Sequence, residues 1–455
     1  MGKVLQLLSH PFELKAALQL KFFRDSLYPL DLSNAAQTEK DCYALLSLTS
    51  RSFASVIKEL NPELRNAIMI FYLVLRALDT VEDDMTLDRD LKIELLRNFD
   101  SKLLTKNWNF TKSGPNEKDR DVLVKFDVIL AEYHKLKPLY QDIIKDITKK
   151  MGNGMADYIV DEEFNLNGVK TIKDYDLYCH YVAGLVGEGL TKISVTAEFG
   201  KPSLIDDMHL SESMGLFLQK TNIIRDYKED LDDGRSFWPE EIWGKYSKKL
   251  VDFSTPEHET DGVYCITELV LNSMSHIKDC LSYLSQIYDY STFSFCAIPQ
   301  VMAIATLAEV FQNRQVFHKN VKIRRGTTCE LILNSRTYED VLQIFSKYIK
   351  IIHHKCPVND PHYLQIGITC GEIEQFIEQL NPNPAHIPEG CKPLETQDYL
   401  NAKKKIQLDE PLADDLKFES MKTNAILSSI VLSSLCIVSI AYFLYSVGGI
   451  NGSIP

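Results

Sequence analysis

Two stretches of the chain place acidic side chains at helical spacing. The first lies within residues 61–84, and its polar side chains recur at i, i+4, i+7 and i+11: Tyr72, Arg76, Asp79 and Asp83. This spacing puts them on one face of a helix whose other faces are apolar, with Glu82 on the flank and Asp84 adding another carboxylate. At the C-terminal end of a helix the dipole opposes negative charge, at a cost of about 0.3 to 1 kcal/mol per carboxylate. A bound cation would remove that cost, although an Arg76–Asp79 ion pair or a solvated helix end gives the same pattern.

The second stretch lies within residues 213–239 and repeats the arrangement. Its polar side chains fall at i, i+3, i+7 and i+11: Gln219, Asn222, Asp226 and Asp230. Glu229 and Arg225 lie beside them, and Gly234 and Pro239 are expected to end the helix. Mg²⁺ typically takes one or two carboxylates and completes its octahedral shell with water and phosphate oxygens. Two buried helices with such acidic ends therefore predict Mg²⁺ held around a diphosphate, provided that the two faces oppose each other.

The elements that would position these residues are helices. Apolar residues recur with helical spacing along most of the chain, and no run shows strand-like alternation. The sequence therefore predicts an all-α fold. Gly152 and Gly154 form a G-x-G that follows no strand, so close helix packing is favoured over dinucleotide binding. The predicted helices cover residues 41–60, 61–84, 140–163, 175–199, 213–233, 263–290 and 291–311, and another long helix begins at about residue 121.

Composition excludes several classes of protein. The 455 residues are 45% hydrophobic and 25% charged, which is typical of a folded chain rather than a disordered one. The net charge of −13 and the lack of a basic stripe argue against a nucleic-acid partner. Ten cysteines occur singly, without a C-x-x-C, and predict reduced thiols rather than disulfides or a zinc site. A short basic run at residues 319–325 is typical of solvated surface, with phosphate binding as the alternative.

The C-terminal region contains 23 consecutive uncharged residues, 425–447, which would span about 35 Å as a helix. A buried core helix is the alternative, but the segment follows a polar stretch and carries Tyr442 and Tyr445 near its end. We therefore predict a single-pass tail anchor that leaves residues 1 to about 420 in the cytosol. The predicted division is a catalytic domain over 1–375, a polar and proline-rich linker over 376–424, the anchor over 425–447 and a short tail over 448–455.

Several motifs together resemble the squalene synthases, and the likeness runs from the first residues to the anchor. The resembling stretches are LTSRSFASVI, RALDTVEDDMT, YCHYVAGLVG, QKTNIIRDYKEDLDDGRSFWP, STFSFCAIPQVMAIATL and VKIRRG, and MGNGMADY is similar to the fungal branch. Lys228 replaces an apolar residue of many relatives, but it points away from the acidic face. The resemblance implies an all-α isoprenoid-synthase fold with a central cavity walled by the two acidic helices.

The resemblance also implies an activity and a cellular location. Two farnesyl diphosphates would be joined head to head to presqualene diphosphate, which NADPH would reduce to squalene in a Mg²⁺-dependent enzyme. The product would enter sterol biosynthesis, in fungi towards ergosterol. The protein would be a monomer held in the endoplasmic reticulum membrane by its C-terminal helix, with the catalytic domain in the cytosol.

The resemblance assigns roles to individual residues. Tyr178 would take part in the first half-reaction, in proton removal. Phe295 would guard the carbocations of the second half-reaction, although a place in the plain core is an equal alternative for it. The expected Mg²⁺ ligands are Asp79, Glu82, Asp83, Asp226 and Asp230. The expected diphosphate ligands are Arg51, Arg76, Arg225 and Arg235. The expected contacts to the phosphates of NADPH are Arg51, Arg76, Arg225, Lys322 and Arg324.

Three other functions fit parts of the sequence. A phytoene-synthase-like prenyl transferase would use the same acidic motifs without a reductant. A class I terpene cyclase would take a single diphosphate. A tail-anchored helical adaptor would keep the anchor and would need none of the four aspartates Asp79, Asp83, Asp226 and Asp230.

Overall fold

The computed structural model describes residues 10–24, 26–161, 164, 167–387 and 392–450, and within these ranges no strand forms. The all-α prediction is confirmed. The first helices are α1 (Pro11–Leu18), α2 (Gln37–Thr49), α3 (Arg51–Lys58), α4 (Pro62–Asp83), α5 (Arg89–Arg97), α6 (Phe99–Lys102), α7 (Arg120–Val124), α8 (Phe126–Tyr133), α9 (Pro138–Val160), α10 (Ile172–Cys179) and α11 (Leu185–Thr196). The remaining helices are α12 (His209–Arg225), α13 (Tyr227–Asp232), α14 (Glu240–Trp243), α15 (Glu259–Met274), α16 (Ile277–Leu284), α17 (Tyr290–Val310), α18 (Arg325–Leu333), α19 (Tyr338–Lys355), α20 (Tyr363–Leu380) and α21 (Gln397–Ile450).

Helix α4 lies at the centre of one half of the fold. The Asn61 side chain accepts a hydrogen bond from the Glu63 amide at 3.0 Å, and Pro62 occupies the first turn, as the sequence predicts. Its apolar side chains are buried on all sides because α2, α3, α5, α7, α8, α9 and α11 surround it. The polar residues at its C-terminal end therefore sit at the end of a rigid, fully packed rod.

Helices α12 and α13 form the equivalent rod in the other half. The chain bends at Asp226, but the amide of Asp226 still donates to Asn222 O at 2.8 Å and that of Asp230 to Asp226 O at 2.9 Å. The two aspartates therefore stay one turn apart, as predicted. Gly234 ends the element with φ of +73°, a left-handed conformation that a residue with a side chain adopts only at a cost.

The glycine pair in α9 serves helix packing. A Cβ added at Gly152 would lie 2.2 Å from Leu96 O of α5, and one added at Gly154 would lie 2.2 Å from the Tyr181 ring. Helix α5 and the segment that carries Tyr181 can approach α9 this closely only because α9 lacks side chains at these two positions. The packing interpretation of this motif is confirmed.

Several predicted long helices are broken in the structure. The predicted helix over 41–60 divides at Ser50, whose backbone is extended and whose Oγ accepts from the Phe53 amide at 3.3 Å to cap α3. The helix predicted from about residue 121 is interrupted at Lys125, and the one over 263–290 is interrupted between α15 and α16. A local cap or a change of packing direction outweighs apolar periodicity at these points.

The C-terminal region differs from the expected linker. Helix α20 extends to Leu380, and residues 397–424 belong to α21, which continues without a break through the predicted anchor. Most side chains of 430–450 lie outside the described part of the structure, so the anchor and the division into domains remain predictions. Among the described residues, the helix that is long and apolar enough to span a membrane is α17, and 78% of its most apolar window is buried as core.

Asp84 fastens a loop rather than joining the acidic face. It is fully buried, and it accepts hydrogen bonds from the Thr86 amide (2.9 Å) and hydroxyl (2.6 Å), the Ser113 hydroxyl (2.7 Å) and the Gly114 amide (2.7 Å). Burial alone would raise the pKa of Asp84, but these hydrogen bonds outweigh it and lower the pKa to about 2. The loop that precedes α7 is thereby held against the end of α4.

We predict that Asp84→Asn lowers the free energy of unfolding at pH 7 by about 1–3 kcal/mol, since two of the four donors lose a charged acceptor. Because the folded pKa of Asp84 lies below its ordinary value of 3.8, its contribution is present above about pH 4 and is lost as the pH falls towards 2. Urea denaturation of the protein and variant at pH 7, 5, 4 and 3 measures this. The exposed Asp206→Asn is the control, and an equal loss in both variants would contradict the role of Asp84.

Candidate active site

The first acidic wall is the C-terminal end of α4. Arg76 lies 3.5 Å (Nη1–Oδ2) from Asp79 and 3.8 Å (Nε–Oδ2) from Asp119, and its Nη2 is 3.4 Å from the Tyr72 hydroxyl. The guanidinium also lies over the Tyr72 ring, 5.7 Å from the centroid. The predicted Arg76–Asp79 pair therefore forms, and Asp119, a residue of the loop fastened by Asp84, supplies a further carboxylate.

The surroundings of this wall disfavour the ionised forms of two of its carboxylates, Asp79 and Glu82. Burial and the neighbouring Asp83 and Asp119 raise the pKa of Asp79 to about 6, against the opposing effect of Arg76. Burial, Asp79 and Asp83 raise the pKa of Glu82 to about 8. A cation at this helix end would favour the ionised forms and relieve the cost.

The second wall is built around Asp226 and Asp230. Arg225 donates to both oxygens of Asp226, at 2.8 and 2.5 Å, and the Asn320 amide donates to Asp226 and, at 2.8 Å, to Glu229. Burial raises the pKa of Asp230 to about 6, and Asp226 and Glu229 add to the effect. This wall thus repeats the pattern of the first, with a crowded carboxylate beside an arginine.

Arg235 joins the two walls. Its Nη1 lies 3.6 Å from Asp83 of the first wall, and its Nη2 lies 3.6 Å from Asp230 of the second and 3.2 Å from Asp233. One side chain can reach both carboxylates only if the two helix ends oppose each other. The structure therefore shows the opposed acidic faces that the sequence could only assume.

An aromatic cluster adjoins the acidic walls. The Tyr178 ring stacks on Phe237 with centroids 4.8 Å apart, and it also contacts Phe164 at 6.0 Å and Tyr158 at 5.4 Å. Arg235 lies over the Phe237 ring, 5.8 Å from its centroid, which connects the cluster to both walls. Burial, aided by Glu82, raises the pKa of Tyr178 well above its ordinary value, so this phenol is neutral at pH 7.

A buried lysine fixes the helix that carries Tyr178. Lys220 of α12 is 1% exposed, and its Nζ lies 2.6 Å from Asp176 of α10 and 2.9 Å from His276 Nε2. Burial and the adjacent ammonium lower the pKa of His276 to about 3, so the imidazole is neutral and accepts a hydrogen bond from the Lys220 ammonium. Lys220 therefore ties α10, and with it Tyr178, to the helix of the second wall.

Other predicted site residues are placed apart from the acidic walls. Phe295 lies in the buried core of α17, only 7% exposed, and the described ring contacts do not connect it to the Tyr178 cluster. Arg324 donates to Glu13 of α1 at 2.8 and 2.6 Å, so its charge is already matched. Lys322 is exposed, two residues beyond Asn320. The side chain of Arg51 is outside the described part of the structure.

The oxygen donors of both walls suit a hard cation, but they do not form a finished cage. Among the described residues, no group of three or more histidine, cysteine, aspartate or glutamate side chains converges closely enough to hold a metal ion by itself. Such an arrangement fits Mg²⁺, which takes few protein ligands and relies on water and phosphate oxygens. It differs from a structural zinc site, which is a closed tetrahedral set of cysteine and histidine ligands.

Sequence reasoning missed several members of the site. Asp119, Asn320 and Phe237 lie on loops, where helical spacing carries no information about orientation, and Phe164 also belongs to the cluster. Phe237 does lie inside the second acidic motif, three residues after Gly234, and this proximity was an available signal. The other three residues are distant in sequence from both motifs and reach the site only through the tertiary fold.

A groove of about 640 Å³ lies elsewhere, between α15, α16 and α20. Its two lysines are matched, Lys245 by Glu268 and Lys278 by Glu372. None of the residues that line it belongs to the acidic walls or the aromatic cluster. We therefore do not assign the chemistry to this groove.

Comparison with known proteins agrees with this site. The sequence profile of the squalene/phytoene synthase family matches residues 46–327, which include both acidic walls and Tyr178. The protein named squalene synthase ERG9 of Candida albicans is 59% identical over 97% of this chain and 99% of its own length. Its namesake in Saccharomyces cerevisiae is 56% identical over 96% of this chain and 97% of its own.

A solved structure gives the same result for the fold. The complex of TcSQS with the ligand E5700 has a TM-score of 0.72 at 41% sequence identity, and it covers 75% of this chain and 98% of the other. The resemblance that the motifs predicted and the isoprenoid-synthase fold are both confirmed. On these matches, and with its two acidic walls opposed across Arg235, the chain belongs to the squalene/phytoene synthase family.

Proposed function

We propose that this protein joins two molecules of farnesyl diphosphate head to head to presqualene diphosphate and reduces that intermediate with NADPH to squalene. The observation that carries the proposal is the position of Arg235, which touches Asp83 and Asp230 at once and lies over the ring that stacks on Tyr178. Charge-stabilising and cation-shielding groups thus share one site. The relatives named squalene synthase support the choice of substrate and product.

The acidic walls are proposed to hold Mg²⁺, and the raised pKa values of three of their carboxylates support this. When bound, the cation neutralises the charge of a departing diphosphate. The residues themselves supply its oxygen ligands and keep them on two rigid helix ends that face each other. The proposed ligands are Asp79, Glu82 and Asp83 on one wall and Asp226 and Asp230 on the other.

The arginines of the walls are proposed to bind diphosphate oxygens. Arg76, Arg225 and Arg235 each contact an acidic ligand in the structure, so each can exchange a carboxylate for a phosphate when substrate arrives. Arg51 is proposed for the same role from its position in the motif. Arg235 is the best placed because it reaches both walls.

The aromatic cluster is proposed to protect the carbocations from water. Tyr178, Phe164 and Phe237 present ring faces next to the walls, and a ring face stabilises a dry cation by about 0.5–2 kcal/mol. Burial keeps Tyr178 a neutral phenol. It can therefore donate a hydrogen bond and offer a ring face, and it is not present as a phenolate base. Phe295 remains a proposed member for the second half-reaction.

The reductant is proposed to bind at the basic loop beside the second wall. The side-chain amide of Asn320 in this loop donates hydrogen bonds to Asp226 and Glu229. These contacts bring the neighbouring Lys322 close to the acidic centre. Arg51, Arg76, Arg225 and Arg324 complete the proposed phosphate contacts. Arg324 would have to release Glu13 to take part, which makes it the costliest of the five.

The cellular setting follows from the same activity. We propose a monomer that is tail-anchored in the endoplasmic reticulum membrane through residues 425–447, with the catalytic body in the cytosol. The body is helical up to Leu380, and α21 extends from it into the anchor. Squalene is apolar, so release beside a bilayer suits the product, which would feed sterol synthesis.

Product analysis tests the activity. The full chain in detergent is incubated with labelled farnesyl diphosphate and Mg²⁺, with and without NADPH. We expect squalene only when NADPH is present and presqualene diphosphate to accumulate in its absence. A C30 product whose formation does not depend on NADPH would indicate a phytoene-synthase-like enzyme. A cyclic product made from one substrate molecule would indicate a terpene cyclase. No product from folded protein would indicate an adaptor.

Substitution of wall carboxylates tests the opposed faces. Asp83→Asn and Asp230→Asn should each lower kcat/KM by about 100-fold or more, because several kcal/mol of charge stabilisation are lost and 1.36 kcal/mol corresponds to tenfold. Asp232→Asn is the matched control, since Asp232 lies on α13 next to this face but pairs outward with Lys228. A wall variant as active as the control, with an unchanged unfolding midpoint, would contradict the assignment.

The raised pKa values predict a pH-dependent affinity for Mg²⁺. Folding raises the pKa of Glu82 from 4.5 to about 8 and that of Asp230 from 3.8 to about 6, so part of the site is protonated at pH 7. Cation binding requires the carboxylates and must release protons, so affinity should rise from pH 6 to pH 8. Calorimetry of Mg²⁺ with a soluble diphosphate, in buffers of different ionisation enthalpy, measures the release.

Glu82→Gln is the comparison for this measurement. It should reduce the number of protons released at pH 7, because the group with the highest pKa has been removed.

In the metal-free protein the pH dependence has the opposite sign. Ionising these groups costs folding energy, so the unfolding midpoint should fall as the pH rises from about 4.5 to 8. Proton release that is identical with and without Glu82 would rule out its titration on binding.

A further inference from the structure

The first half of α21 is docked on the catalytic body by a buried ion pair. Lys405 is fully buried, and its Nζ lies 2.6 Å from Asp409 and 4.2 Å from the Phe293 ring centroid. The second oxygen of Asp409 accepts a hydrogen bond of 2.9 Å from the backbone amide of Tyr338, the first residue of α19. A buried pair tolerates little displacement, because separating it would leave an uncompensated charge. The pair therefore fixes the register of α21 on the body.

A second attachment lies fourteen residues further along α21 and includes the N-terminal region. Glu419 accepts from both terminal nitrogens of Arg336, at 3.0 and 3.2 Å, and from Gln19 Nε2 at 3.1 Å. Gln19 begins a π-helical turn, Gln19–Phe23, that continues α1. This turn is thus held against α21 shortly before the proposed anchor.

The distance from this attachment to the bilayer follows from helix geometry. Ala425 is six residues beyond Glu419 in an uninterrupted helix, which corresponds to about 9 Å along its axis. The headgroup region on each side of a bilayer is roughly 5–8 Å thick. With the anchor inserted, the structure around Glu419 therefore lies at the membrane surface.

The side chains exposed at this level have the composition of an interfacial contact. Phe22 is 62% exposed in the π-helical turn, and Lys21 beside it is exposed as well. On α21, Phe418 is 70% and Met421 is 68% exposed. Large apolar side chains next to lysine are typical of segments that rest among lipid headgroups, where the ring is buried and the ammonium meets phosphate.

We propose that the Gln19–Phe23 turn is a second membrane contact, with Phe22 inserted among the headgroups and Lys21 at lipid phosphate. The inference rests on the tail anchor of the proposed function, because the anchor brings the bilayer to this height. Two contacts, one through α21 and one through the turn, fix the orientation of the body on the membrane. The same N-terminal helix presents Glu13 to Arg324, so the basic loop is held at a defined height above the bilayer.

Tryptophan fluorescence tests the contact in the full chain reconstituted in vesicles that contain anionic lipid. Phe22→Trp should show a blue-shifted emission that lipids brominated near the headgroup quench. The matched control is Leu139→Trp. Leu139 is 63% exposed, against 62% for Phe22, and it lies on α9, a helix that packs on α4, α5, α6 and α11. We expect quenching at least about twofold greater at position 22 than at the control, as for an interfacial aromatic ring. The unchanged protein supplies the background of its three tryptophans.

The outcomes separate the contact from the anchor. Protein that floats with the vesicles while the tryptophan at position 22 stays solvent-like would overturn the contact and leave the anchor intact. Protein that does not float would overturn both, whereas the product assay in detergent would still report the catalytic function. A blue shift without lipid quenching would indicate burial against a second copy of the chain and would also overturn the proposal. Adding Lys21→Glu to Phe22→Trp should weaken quenching in anionic vesicles.

Discussion

The placement of carboxylates at two opposed helix ends, where burial and then mutual repulsion disfavour their charge, is the constraint on which the rest of this structure depends. Asp79, Glu82 and Asp230 have raised pKa values because packed helices hold them near other acids and away from water. Within the described chain, Arg235 is the side chain that spans both ends. The fold therefore keeps a site that cations and a diphosphate would complete, and it bears the cost in the free protein.

The surrounding elements can be understood as supports for that strained site. Asp84 is the acid of the first cluster that is fully satisfied, and it fastens the loop that delivers Asp119. Lys220 ties α10 to α12 and so sets Tyr178 beside the walls. In the first cluster, the hydrogen-bonded Asp84 supports the scaffold, whereas Asp79 and Glu82, whose pKa values are raised, belong to the proposed metal site. Residue type alone does not distinguish the two groups, but their partners do.

The segment that leads to the proposed membrane anchor is also rigidly positioned. Within the predicted polar and proline-rich linker over 376–424, residues 397–424 form a helix that is held by the Lys405–Asp409 pair and by Glu419. Proline, charge and polarity made this segment look like a linker. The i, i+4 spacing of Lys405 and Asp409 is visible in sequence, but their burial is not, and Asp409 finds its further partner, the Tyr338 amide, only in the folded body. Such a docked helix would transmit the orientation of the proposed anchor to the candidate active site.

The sequence by itself determined the helical class, the two acidic faces and the family, because helical spacing and long motifs are local properties. It also predicted which aspartates share a face, since i and i+4 positions are fixed by the helix. Only the tertiary structure decided that the two faces oppose each other, that Asp84 turns away, and that Phe164, Phe237 and Asn320 join the site. These decisions depend on packing between segments far apart in the chain, which periodicity cannot encode.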